Sequence, residues 1–259
     1  MTAELLTERI DATLVLTLSD PATRNTLSHP VIAAAIEALN IAEADPELRC
    51  VLLCGAGAHF CAGGNLHGLL ERRRIGPPAQ VEMLEHLHQF IEVLGTFTKP
   101  VIAAVEGAAA GAGFSLALAC DLIVAAEDAR FMLSYGRIGL SPDGGATWQL
   151  MQALPRAQVQ QLVWLGEPVT AQQLHACGLV GRVVDRGHSV DEALRLAARL
   201  AAMAPNALAS GKVLVRQASG RALSQQLDAE RDHFVENLFH ANGAEGLNAF
   251  LEKRAPRFR

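Results

Sequence analysis

Short apolar runs alternate with longer helical stretches over most of this chain, and that rhythm limits the fold more than any other feature. Thr13–Leu18, Cys50–Cys54, Val101–Val105, Leu122–Ala126 and Leu179–Val184 are the apolar runs, rich in β-branched or small residues. Between the first two lies SHPVIAAAIEALNIAEAD, which has helical spacing, Ser28 placed as N-cap and Pro30 near the first helical position. Strands separated by helices predict an α/β fold. From about Asp191 the pattern turns wholly helical through DEALRLAARLAAMA, NALASGKVLVRQA, ALSQQLDAERDHFVENL and GAEGLNAFLEKR. The expected organisation is therefore a main body over residues 1–190 and a helical assembly region over 191–259. Residues 71–79, ERRRIGPPA, combine charge with Gly-Pro-Pro and predict a loop or helix break, mobile and placed to cover a site.

Composition excludes several classes. Half of the 259 residues are apolar and 19% are charged, as in an ordered globular protein. A net charge of −5 is the wrong sign for a nucleic-acid binder, although a few placed cations suffice for a phosphate-bearing ligand. The opening MTAELLTERIDATLVLTL reads as a first strand, with acidic residues and no basic leader segment, so a cytoplasmic protein is expected. Gly and charge interrupt the Ala-rich runs near residues 101–126, so no membrane span is expected. The five cysteines show no C-x-x-C pair and read as reduced thiols, with Cys50 and Cys54 as small core hydrophobes and no metal site.

Two Gly-rich turns follow strands directly: GAGAHFCAGGNL at 55–66 and EGAAAGAGFSLALACDL at 106–122. Neither matches a nucleotide-binding fingerprint. Each leads into a helix, whose first N–H groups point outward at the positive end of the helix dipole. Gly63, beside Ala62, and Gly111 and Gly113, flanking Ala112, would let a reacting carbonyl approach the backbone. Two such N–H groups on one oxygen form an oxyanion hole. Plain tight packing of helix on strand accounts for the same small residues, and both explanations stand at this point.

The wider motifs carry a resemblance. RNTL at 24–27, HFCAGGNL, KPVIAAVEGAAAGAGFSLALACD, IGLSPDGGATW and EGLNAFLEKRAPRF occur in the order seen in the crotonase (enoyl-CoA hydratase/isomerase) family, and each is similar to the corresponding family block. The resemblance covers nearly the whole chain. It implies a spiral of ββα units with a C-terminal helical trimerisation region, assembly as homotrimers or hexamers, and an acyl-CoA thioester as substrate, with no cofactor beyond the coenzyme A that the substrate carries. It further implies Ala62 and Ala112 as oxyanion donors, Arg24 at the mouth of the CoA site, and Phe250 with Lys253 as a C-terminal pair that touches CoA, often from a neighbouring subunit.

The departures decide the reaction expected. Hydratases that this chain resembles hold a water between two glutamates, and those positions here are Ser115 and Tyr135. An unassisted serine or an ordinary tyrosine is a poor base at neutral pH. Asp143, in SPDGG, is similar in position to an aspartate of several isomerases of the family; to abstract a proton at neutral pH its pKa would have to rise, by burial beside apolar neighbours such as Leu140 and Trp148. Pro-Asp-Gly-Gly is also a turn, in which Asp143 would cap the helix ATWQLMQAL. Three readings result: an isomerase using Asp143, a hydratase-like lyase using Ser115, Tyr135 and water, and a protein that only binds acyl-CoA. Of the remaining groups, His59 is expected to face solvent, Asn65 to cap a helix, His86 and His88 to lie on different faces, and Glu106 and Asp121 to make structural hydrogen bonds.

Overall fold

The computed structural model describes residues 3–259. Its first element is a hairpin, because the N-terminal stretch read as one strand contains two, β1 (Glu4–Ile10) and β2 (Thr13–Ser19). Asp11, at φ 51°, takes the left-handed conformation that a two-residue turn requires. The helix α1 (His29–Ala44) leads to β3 (Cys50–Gly55), followed by α2 (Leu66–Ile75) and α3 (Pro77–Thr96). Residues 71–79 are thus a helix break at a single residue, Gly76, at φ 129°, and are helical on both sides.

The central part repeats a unit. β4 (Val101–Val105), β5 (Ala108–Ala110) and α4 (Ala112–Ala119) form one turn of the spiral, and β6 (Leu122–Ala126) and β7 (Arg130–Met132) begin the next. Together with β9 (Arg182–Val184), the longer strands form a six-stranded sheet ordered β1-β2-β3-β4-β6-β9, parallel except for the β1–β2 pair. The short β5 and β7 form a second sheet with β8 (Val169–Thr170), ordered β5-β7-β8. Beyond β7 come α5 (Ala146–Ala153), α6 (Arg156–Leu165), β8 (Val169–Thr170), α7 (Ala171–Ala176) and β9 (Arg182–Val184). The helices α8 (Ser189–Ala201), α9 (Pro205–Ala218), α10 (Leu223–Phe239) and α11 (Ala241–Leu251) complete the chain. This is the spiral of ββα units with a helical C-terminus.

Strand alternation divides the core. Cys50, Leu52 and Cys54 point to one face of the large sheet with Ile102, Ala104 and Val124, where Ala193 and Ala197 of α8 cover them. Val51, Leu53, Val101, Ala103 and Val105 point to the other face, into the main core with Phe60, Phe90 and Phe114. Cys50 and Cys54 are therefore core hydrophobes, as expected. The boundary drawn at residue 191 falls inside α8, which packs on the sheet; α9 and α10, which follow it, have no buried residue.

Two carboxylates fasten the C-terminal helices. Glu106 accepts from the backbone N–H groups of Gly187 and Ser189, both at 3.0 Å, at the start of α8. Asp121 accepts from Val101 N–H and pairs with Lys212 of α9 at 2.8 Å, while Lys212 also donates to the carbonyls of Leu94 and Lys99. Both carboxylates are thus structural, as the sequence predicts.

The two Gly-rich turns pack backbone on backbone. Cys61 and Ala109 form a β-bridge, Cys61 N–H donates to Ala108 O at 3.0 Å, and Ala110 N–H donates to Cys61 O at 2.9 Å. A methyl on Gly113 would lie 2.2 Å from Cys61 O. Gly113→Ala is therefore expected to cost at least about 1–3 kcal/mol by forcing the turns apart. Gly211→Ala, on the open side of α9, is expected to be neutral or to stabilise by up to about 1 kcal/mol. Denaturant midpoints of the two variants check the contrast; equal effects would show that the turns do not need their close approach.

Candidate active site

The two turns meet at the wall of a cavity of about 440 Å³. Gly63, at φ 87°, brings the first turn against the second: a methyl there would lie 2.6 Å from Ala110 O and 3.1 Å from the Ala112 nitrogen. Asn25, buried and itself left-handed at φ 59°, holds the first turn in place. Its amide donates to the carbonyls of Ala56 and His59, and its Oδ1 accepts from Asp20 N–H. His59 does not simply face solvent, because its Nδ1 accepts from Ala108 N–H at 3.2 Å and ties the turns together.

The free amides differ in part from those expected. Ala112 opens α4 and no described residue accepts from its N–H, as its place at the helix start implies. Ala62 also lines the cavity, but its N–H donates to Arg24 O at 2.9 Å and is already used. Two residues on, the N–H of Gly64 has no acceptor among the described residues, and Gly64 lines the cavity with Ala112. The adjacent amide of Gly63 points to Cys61 Sγ at 3.4 Å. A sequence pattern of consecutive small residues does not distinguish these registers, whereas the hydrogen bonds do.

Across the cavity the three side chains weighed for chemistry come together. Tyr135 Oη donates to Asp143 Oδ1 at 2.6 Å, and Ser115 Oγ donates to the backbone carbonyl of Asp143 at 2.9 Å. Ser115 is fully buried in α4, with Gly144 folded against it at φ 60°. The helix α5 starts from Gly145 without a side-chain cap, so the Asp143 carboxylate is not a cap and is directed to Tyr135. Burial raises the Asp143 pKa, and the Tyr135 hydroxyl and a nearby His88 pull it partly back. Burial, and then the Asp143 charge, drive the Tyr135 phenol above its usual value, so it remains a donor. Asp143 is the one carboxylate among the residues lining the cavity. Leu140 lines it too, but Trp148 does not; Trp148 borders a separate hollow of about 690 Å³ beside the Asp121–Lys212 pair, on the α9 side.

Other expected site residues are placed elsewhere. The Arg24 side chain is exposed, and Arg24 reaches the site through its carbonyl. Phe250, 83% exposed, and Lys253 lie at the C-terminus and do not line the cavity within one chain. Asn65 caps α2 by accepting from Gly68 N–H. His86 and His88 do not share a site; His86 instead meets His29 of α1, Nε2 to Nε2 at 3.1 Å. No cluster of three metal-ligating side chains occurs among the described residues, and no helix there is long and apolar enough to cross a membrane.

With this geometry in view, the relatives are informative. A family model described as enoyl-CoA hydratase/isomerase matches residues 8–259. The 1,2-epoxyphenylacetyl-CoA isomerase of Escherichia coli K12 is 37% identical over 246 residues, covering 95% of this chain and 94% of that protein. The 2,3-dehydroadipyl-CoA hydratase of the same organism is 35% identical over 257 residues, covering 99% of each. A crystal structure of an enoyl-CoA hydratase from Polaromonas sp. JS666 matches with a TM-score of 0.98 at 55% identity, over 99% of this chain and 100% of that one. The chain belongs to the enoyl-CoA hydratase/isomerase, or crotonase, family. Its relatives include both an isomerase and a hydratase by name, so the reaction must be argued from the cavity.

The Tyr135–Asp143 bond makes a prediction of its own. Donation from Tyr135 favours the charged carboxylate, so Tyr135→Phe is expected to move the Asp143 titration to higher pH. Carbon-13 NMR titration of labelled aspartate reads the shift; a midpoint that stays or falls would show that the phenol does not hold the charge.

Proposed function

We propose that this protein moves a double bond, or an equivalent proton, within the acyl group of a coenzyme A thioester. The observation that carries the reading is a single half-buried carboxylate, Asp143, lining the same cavity as two backbone N–H groups with no acceptor among the described residues, those of Gly64 and Ala112. The thioester oxygen sits between the two amides. Asp143 removes a proton from carbon, the electron pair moves onto the thioester oxygen as a dienolate, and the amides stabilise that charge in a site partly shut from water. The protonated Asp143 then returns the proton at another carbon of the same dienolate, and the double bond ends in a new position. Atoms balance without a second acid or a cofactor.

Several features support this assignment over hydration. Adding water needs one group to activate it and another to protonate carbon, and the positions facing Asp143 supply Ser115 and Tyr135. Ser115 spends its proton on the Asp143 carbonyl, and Tyr135 spends its proton on the carboxylate. Burial suits Asp143 to the work of a base, because a carboxylate with a raised pKa removes a carbon-bound proton more effectively while still ionised near neutral pH. The half-exposed rim of the cavity suits an elongated thioester, with the coenzyme outside and the acyl group within. Assembly as trimers or dimers of trimers, with Phe250 and Lys253 brought to a neighbour's coenzyme, belongs to the same proposal.

Asp143→Asn is expected to lower kcat for 3-enoyl-CoA to 2-enoyl-CoA conversion by about 10²–10⁴-fold with little change in KM. Its melting temperature should hold or rise, because the substitution removes a buried charge. In the unaltered protein the acid limb of the rate profile should lie above the ordinary carboxylate range, since activity appears only as pH rises through the raised Asp143 pKa. Strong hydration of 2-enoyl-CoA by a fully active Asp143→Asn variant would overturn the proposal.

A further inference from the structure

One cation on the wall of the cavity has no part in the chemistry above. Arg72 of α2 lines the cavity and is half-buried among Leu66, Leu69, Met83 and Leu84. Its Nε donates to Oε1 of Gln80, on α3, at 2.7 Å, which fixes the plane of the guanidinium across the α2–α3 junction. Among the described residues nothing accepts from Nη1 or Nη2, and no carboxylate lies within ion-pair distance of Arg72. Gly68 makes the posture possible: a methyl there would lie 3.0 Å from Nη1 and 3.6 Å from Nη2, so the guanidinium rests on the bare turn. The neighbouring Arg73 and Arg74 are exposed, as an ordinary helix surface would have them. The guanidinium is thus oriented at one nitrogen, while the other two have no protein partner among the described residues, which leaves the charged fork open to an anion in the cavity.

We propose that the acyl group bound in this cavity ends in a carboxylate, and that Arg72 takes that carboxylate through Nη1 and Nη2. The inference rests on the acyl-CoA reading of the cavity. Position along α3 separates the anion site from the reacting end. Leu87 approaches Gly144, beside Asp143 and Ser115, since a methyl on Gly144 would lie 3.6 Å from Leu87 Cδ2. Gln80 is two helical turns away, roughly 10 Å at about 1.5 Å per residue. Arg72 is therefore well removed from the carboxylate base. The lining between the two ends is apolar, with Met83 and Leu84 on α3, as a methylene chain requires. The fork of an arginine, unlike a lysine ammonium, matches the two oxygens of a carboxylate in one plane.

Calorimetric titration of the full chain tests this with five probes: adipyl-CoA and suberyl-CoA, hexanoyl-CoA and octanoyl-CoA of matching length, and free coenzyme A. The protein should bind at least one carboxylated thioester about 10- to 100-fold more tightly than its uncharged counterpart. Arg72→Met should abolish that preference and change the uncharged thioesters by less than about twofold. Arg72→Lys, which keeps the charge and loses the fork, should fall between, and an unchanged melting temperature shows that each variant is folded. Equal affinity for charged and uncharged thioesters would overturn the inference while leaving acyl-CoA binding intact. Equal weakening of all five probes by Arg72→Met would overturn it in favour of a contact to the phosphates of the coenzyme. Failure of every thioester and of coenzyme A to bind the unaltered protein would instead sink the acyl-CoA reading, and this inference with it.

Discussion

The close approach of two Gly-rich turns is the constraint on which the rest of the site depends. Cys61 donates its N–H to Ala108 O and accepts from Ala110 N–H, and Gly63 and Gly113 leave no side chain between the two segments at the crossing. That contact joins the end of β3 to the start of α4, and so links two turns of the spiral at the point where each strand gives way to a helix. The amides of Gly64 and Ala112 have no acceptor among the described residues, that of Ala112 because it opens α4. Steric economy in the packing and an electrostatic device at the cavity are consequently the same feature. Asn25 extends the arrangement by holding three carbonyls of the first turn, those of Ala56, His59 and, at longer range, Phe60.

On the opposite wall the governing interaction is the short bond from Tyr135 to Asp143. The two groups shift each other in opposite senses. The phenol lowers the carboxyl pKa that burial raises, and the carboxylate adds to the burial that raises the phenol. The pair can keep a charged base and a neutral donor side by side at neutral pH. Ser115 acts mainly on the backbone: its hydroxyl fastens the loop that carries Asp143, and its pull on the phenol is the smallest of those that act there. Tyr135 and Ser115 are thus one donor and one tether, both directed at a third residue.

Much of this was legible in the residues, and what was not had specific causes. The strands β3, β4 and β6 are short apolar runs bounded by polar or glycine-rich segments, and they appear where the pattern puts them. The N-terminal hairpin was read as one strand because its turn contains neither glycine nor asparagine, only Asp11 in a conformation that sequence does not announce. The cluster of Ser115, Tyr135 and Asp143 was assembled from motif order, since the residues are up to 28 apart and periodicity carries no information on their meeting. Which amide of the first turn is free is not legible in the residues: Ala62 and Gly64 flank the same glycine, and only the Arg24 carbonyl, 38 positions before Ala62, distinguishes them. The partnership of Arg72 with Gln80 crosses a helix break and has no sequence signature at all.

The break at Gly76 has a consequence for how such a protein diversifies. The sheet, the two turns and Asp143 are joined through backbone, by the Cys61–Ala109 bridge and by the bond from Ser115 to the Asp143 carbonyl. The α2–α3 elbow contributes only side chains to the cavity, and a single glycine joins its two arms. Substitutions there can lengthen, shorten or recharge the far end of the cavity while the chemistry stays as it is. Selection on what is bound can thereby proceed separately from selection on what is done to it.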